Sequence, residues 1–86
     1  VQANTYYNAA SFYYDFDKDN NNALVNITKA VEASKDAYWM VLLKARIEKA
    51  LGDKVSAKAS AQKCIDIATG KNADYVTFAN ELIKSL

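Results

Sequence analysis

The stretch from Asp53 to Gly70, DKVSAKASAQKCIDIATG, is where the fold becomes legible. Asp53 makes a good helix N-cap, because its carboxylate can accept from the otherwise orphaned N–H groups of the first turn. Gly70 supplies the turn that stops the helix at the other end. Nothing between them breaks a helix, and small residues recur at Ala57, Ala61 and Cys64 with Ile65 alongside. A row of small residues on a helix marks where a second helix comes close.

Moved back by thirty-four residues, the row reappears. Ala57 falls on Ala23, Ala61 on Ile27, Cys64 on Ala30 and Ile65 on Val31. The preceding helices behave alike, with Val41 falling on Tyr7 and Ala45 on Ser11. A forward shift brings Val41 to Tyr75, Ala45 to Ala79 and Glu48 to Leu82. A period of this length signals a helical repeat, each copy burying too little apolar surface to stand alone.

Caps and stops divide the rest of the chain. A first helix is predicted from Asn4 to Asp17, ended by the polar run Lys18–Asn22, and a second from Asn22 to Ser34. Asp36 is placed as the cap of a third helix that ends near Leu51–Gly52. Asp53 caps the fourth and Asn72 the fifth, which reaches Leu86. In the polar run, asparagines are read as tolerating left-handed backbone and capping the second helix. The expected fold class is all-α: an α-α superhelix of two helix-turn-helix repeats, about residues 4–35 and 36–70, closed by a capping helix at about 72–86, in a single domain spanning 1–86. Tyr75, Phe78, Ala79 and Leu82 lie at i, i+3, i+4 and i+7, the stripe by which that last helix would face the fourth. Composition agrees. There is no proline, only two glycines, and 51% hydrophobic residues, which is ample for a core. A chain of this size buries only about 60% of the surface its unfolded form exposes, so efficient packing is essential.

Taken together, these positions resemble the tetratricopeptide repeat. The first repeat reads Tyr7, Ser11, Tyr14, Ala23, Ile27 and Ala30; the second reads Val41, Ala45, Glu48, Ala57, Ala61 and Cys64. Lys44 and Glu48 depart from the family pattern by standing where apolar residues are usual, and no proline closes either repeat. The third helix is therefore expected to be slightly rotated, burying Trp39, Leu42 and Leu43. More narrowly, Ala45–Gly52, the alanine-rich fourth helix and the ending Asn72–Val76 are similar to the helical C-terminal tail of a family of bacterial proteins of unknown function. The resemblance implies a non-catalytic module following a separate domain. With Val1 in place of an initiator methionine, the chain reads as the C-terminal piece of a longer protein.

The first helices of tetratricopeptide arrays line a concave binding face. The resemblance carries that role to Asn8, Phe12, Asp15 and Phe16, then Trp39, Leu42, Arg46 and Lys49, and finally Val76, Asn80 and Lys84. Of these, Asn8, Phe12, Phe16, Trp39, Leu42, Arg46, Lys49 and Asn80 are the expected partner-binding groove. Basic and amide groups beside an apolar floor suit an extended peptide or a carboxylate, although the family's full carboxylate clamp needs more repeats than this chain has. The same apolar area suits docking on an upstream domain of the same chain, or self-association. Trp39 has a second reading, as ordinary core of a rotated third helix.

Other chemistry is sparse. The chain has no histidine, the commonest general base and zinc ligand. It contains no phosphate-binding glycine loop and no nucleophile elbow. Cys64 falls on a small-residue packing position, so a buried inert thiol is expected rather than a reactive one. No catalytic residue, metal site or cofactor is assigned. Formal net charge is +1, which gives no reason to expect nucleic acid or a membrane as partner. That charge is unevenly spread, being −2 over residues 1–36 (three lysines, five acids) and +3 over residues 37–86 (eight basic groups, five acids).

The main alternative is a small-ligand or calcium module. Asp15, Asp17 and Asp19 alternate as calcium-loop ligands do, but Asn20 stands where glycine makes the sharp turn and Asn26 where a glutamate closes the site. A polar inter-helix turn is the competing reading. Asn26-Ile27-Thr28 matches the glycosylation pattern but falls within a helix, with Ile27 expected to be buried.

Overall fold

A computed structural model describes the backbone of residues 2–86 and the side chains from Ala3 onward. The described chain is all-α, with five helices and no strand. Helix α1 spans Gln2–Phe12 and continues into a π-helical turn, Tyr13–Asp17. The others are α2 (Asn20–Ala33), α3 (Tyr38–Ala50), α4 (Lys54–Ala68) and α5 (Ala73–Lys84).

Two caps fall where the residue types require. Asp53 accepts the Ser56 N–H at 3.1 Å to start α4, and Asn72 accepts the Asp74 N–H at 3.1 Å to start α5. Gly52 and Gly70 supply left-handed backbone after α3 and α4, with φ of 84° and 82°. Two other junctions correct the sequence reading. Helix α2 starts at Asn20, because Asp19 caps it by accepting the N–H and the side-chain amide of Asn22 at 3.2 and 2.7 Å. The left-handed residue there is Lys18, with φ of 56°, and not an asparagine. The π turn explains the shift: the Tyr13 carbonyl accepts from both Lys18 and Asp19, closing the turn before the asparagines are reached. Helix α3 begins after Ala37 without a side-chain cap, and Asp36 contributes only its carbonyl, to the Tyr38 N–H at 3.0 Å. Ala37 is buried, and seating it in the core carries the chain past Asp36 before helical turns begin.

Packing follows chain order. Helices α1 and α2 form one tight pair, α3 and α4 another, while α2 meets α3 and α4 meets α5. Helix α5 also touches α3, whereas α1 packs mainly on α2. Alanines make these crossings close: Ala10, Ala23, Ala30, Ala45, Ala57, Ala61 and Ala79 are all fully buried. Ile27, Met40, Val41, Leu42 and Ile47 fill the space between them. Rows of small side chains allow helix axes to approach toward the short end of the usual range of about 8–10 Å.

Helix α3 is central and buried on several sides. As expected, Leu42 and Leu43 are in the core, but Trp39 is not: it remains 38% exposed. Glu48 is buried although charged. Its Oε1 accepts the Ser60 hydroxyl from α4 at 2.6 Å, and its other oxygen lies 4.0 Å from Lys44 Nζ. A buried carboxylate is tolerated when such a donor reaches it. Along α5 the buried stripe differs from the predicted one. Ala79 and Leu82 are buried and Tyr75, Ile83 and Leu86 partly so, while Phe78 is 43% exposed. The stripe has turned toward Ile83 and Leu86, leaving Phe78 at its edge.

Candidate functional site

An open recess of about 370 Å³ lies where the π turn that continues α1 meets the C-terminal halves of α3 and α5. Tyr14 of the π turn forms one wall, and Arg46 and Lys49 project from α3. Phe78, Glu81, Leu82 and Ser85 of α5 complete the lining. The polar groups are partly ordered. Lys49 Nζ donates to Ser85 Oγ at 2.8 Å, and Ser85 Oγ donates to the Leu82 carbonyl at 2.6 Å. An ammonium held there complements the partial negative charge of a helix C-terminus. Among the described residues the one salt bridge is Lys44–Glu48, so neither Arg46 nor Lys49 has a carboxylate partner. The result is a cationic, partly apolar hollow tempered by Glu81.

An aromatic ladder leads to it. Trp39 meets Tyr38 edge-on at 5.1 Å, Tyr38 meets Tyr75 at 5.0 Å, and Tyr75 meets Phe78 at 5.7 Å. Edge-to-face pairs at such distances are each favourable by about 0.5–1.5 kcal/mol beyond area burial. The ladder therefore fixes Phe78 at the rim despite its exposure. A separate pair lies on α1: Phe12 and Phe16, 52% and 75% exposed, have ring centroids 5.6 Å apart. Each is two residues from Tyr14, about half a helical turn, so the pair faces away from the recess.

The expected groove is thus only partly assembled. Arg46 and Lys49 come together in the recess, while Phe12, Phe16 and Trp39 are exposed and do not line it. Asn8, Asp15, Asn80 and Lys84 are exposed and Val76 is half-buried, and none of these lines the recess. Leu42 must be withdrawn. It is 1% exposed, because the central helix α3 is covered on the side that a peripheral helix would present to a partner. The sequence marks Tyr14, Phe78 and Leu82 only as packing positions and Glu81 only as water-facing, and it gives Ser85 no signal. Their common role depends on three helix ends meeting, which no local pattern encodes.

Asp19 is occupied as a cap, Asp15 and Asp17 are exposed on the π turn, and among the described residues no three His, Cys, Asp or Glu side chains cluster as metal ligands would. Cys64 is fully buried, and burial pushes its thiol pKa up, with Arg46 opposing only in part. A thiol so raised stays protonated at neutral pH and is a poor nucleophile. Asn26 donates its amide to the Asn22 carbonyl at 2.9 Å within α2, where Ile27 is buried. No described helix is long and apolar enough to cross a membrane.

Fold and recess define the class: an all-α, five-helix protein whose most distinctive surface is the junction of three helix ends. No family model, curated protein or solved structure matches the chain.

Proposed function

We propose that the chain is a non-catalytic, tetratricopeptide-like protein-docking module that binds its partner at the junction of α1, α3 and α5. The observation carrying this reading is the pairing of two cations without a salt-bridge partner, Arg46 and Lys49, with the exposed ring of Phe78 at one recess. Aromatic and arginine side chains dominate the energetics of protein interfaces, because they combine large contact area with directed polar groups. The thirty-four-residue register supports the same reading, since it makes α1, α3 and α5 corresponding helices of successive repeats. A chain without histidine, whose only thiol is buried, offers little for catalysis.

Peptides selected from a random display library against the folded chain test this function. Selected binders are expected to lose about tenfold or more in affinity for Phe78→Ala and for Arg46→Ala/Lys49→Ala, with melting temperatures little changed. Val55→Ala, at an exposed position on α4, is the control and should bind like the parent chain. Failure to select any binder, or binders indifferent to all these substitutions, would rule out the recess as a docking site.

A further inference from the structure

The two cations of the recess are not equivalent. Lys49 donates to Ser85 Oγ at 2.8 Å, and Ser85 in turn donates to the Leu82 carbonyl at 2.6 Å. Its ammonium is thus partly committed to the last turn of α5, whose partial negative charge it answers. The Arg46 guanidinium is exposed and, among the described residues, has neither a hydrogen bond nor a salt bridge. Arg46, Lys49 and Glu81 are the charged groups of the lining, two positive and one negative, which leaves one positive charge over. Asp15 and Asp17 stand on the π turn outside that lining. The apolar part of the recess is Tyr14, Phe78 and Leu82, with the Phe78 ring held at its rim by Tyr75, 5.7 Å away.

Resting on the docking function proposed above, we infer that the occupant of the recess is a partner's peptide segment bearing one internal Asp or Glu beside a large apolar side chain. The carboxylate takes the free guanidinium of Arg46, whose planar fork matches two carboxylate oxygens. The apolar side chain packs on Phe78, between Tyr14 and Leu82. A volume of about 370 Å³ is near the small end of binding pockets, room for one large side chain and its acidic neighbour. Charge limits the acid to one. A monoanion neutralises the single positive charge left over, whereas a dianion leaves a negative excess facing Glu81. Glu81 therefore sets specificity. Placement selects an internal acid over a chain terminus. Terminal carboxylates are captured by converging backbone N–H groups, and the C-terminal halves of α3 and α5 offer free carbonyls instead. The acid is held by side chains alone, and the open recess lets the segment run on at both ends.

The display-selected peptides provide the test, remade as synthetic copies acetylated and amidated at their ends and titrated by fluorescence anisotropy. They are expected to share one Asp or Glu next to a large apolar residue. Changing that acid to its amide should weaken binding to the parent chain at least about tenfold. The same change should cost less than about twofold with Arg46→Gln, because both substitutions remove one shared contact. Arg46→Lys should restore only part of the affinity, since it keeps the charge and loses the fork. Glu81→Gln should bind these peptides more tightly and accept a second acid that the parent rejects. Helical circular dichroism and melting temperature should match the parent for all three variants. Equal losses for the parent and Arg46→Gln would overturn the inference. So would phosphoserine binding better than the acid it replaces, or affinity that vanishes on amidating the peptide's C-terminus. If binding still depends on Phe78 in those cases, the docking function stands and only the acidic partner falls. If no peptide is selected, or every binder is indifferent to Phe78→Ala and Arg46→Ala/Lys49→Ala, both fall.

Discussion

Lys18 performs with a full side chain what Gly52 and Gly70 perform without one: all three hold left-handed backbone at a helix end. A Cβ in that region crowds the following carbonyl at a cost of about 1–2 kcal/mol, which glycine avoids while losing some of the gain through its freer unfolded state. Lys18→Gly is therefore expected to stabilise the fold by about 0.5–1 kcal/mol in urea unfolding. A loss of stability instead would show that the lysine side chain itself holds the turn. Asp53 illustrates a titrating residue. Hydrogen bonds from the Ser56 side chain and backbone hold its carboxyl below the ordinary value of 3.8. A group depressed in the folded state stabilises above its ordinary pKa and loses that contribution as pH falls through the folded value. The melting temperature of the parent chain should thus drop below about pH 4 more steeply than that of Asp53→Asn, which keeps an acceptor but does not titrate there. Parallel acid limbs for the two proteins would exclude the cap as an acid-sensitive group. Asp53, Asn72 and both glycines were legible because their roles are settled within a few residues. Asp36 and Lys18 were misread because a buried alanine and a π turn, both set by surroundings, moved the helix boundary.

Helix α5 separates pattern from packing. Its apolar spacing places Phe78 and Leu82 on one stripe, yet Leu82 is 9% exposed and Phe78 43%. Leu82→Ala is expected to cost about 2–5 kcal/mol, as truncation of a buried leucine does. Phe78→Ala should cost under about 1.5 kcal/mol, the scale of its edge contact with Tyr75. Equal losses in denaturant unfolding would mean that α5 is seated with Phe78 inward. Periodicity identifies which residues share a face but not the angle at which that face meets its neighbours. Here α4 and the flank of α3 set the angle, drawing Ile83 and Leu86 inward. Helix α3 shows the same effect. Its central place buries Leu42, removing it from the groove that repeat position alone would assign. Glu48, out of place against the repeat pattern, is accommodated because Ser60 on α4 supplies a hydroxyl.

Across the whole molecule, packing mostly joins sequence neighbours, and extents of 30 × 29 × 18 Å describe a slab. With five short helices sharing one core, unfolding is expected to remain all-or-none. Far-UV circular dichroism and the fluorescence of Trp39, which reports the contact between α3 and α5 through Tyr38 and Tyr75, should give coincident urea transitions. A Trp39 transition preceding the loss of helicity would reveal a closing helix that detaches on its own.

The sequence by itself determined that the chain is all-helical, where four of the five helices stop, and which small residues lie at the crossings. Those properties follow from local causes: propensity, capping chemistry and the spacing of apolar side chains along one helix. Only the tertiary structure decided that α1 packs mainly on α2, that Leu42 is core and Phe78 rim, and that Tyr14, Arg46, Lys49 and Ser85 share one hollow. Each of these depends on the angle and distance between helices. Those are set by the summed packing of all the faces at once, which no single stretch of the chain contains.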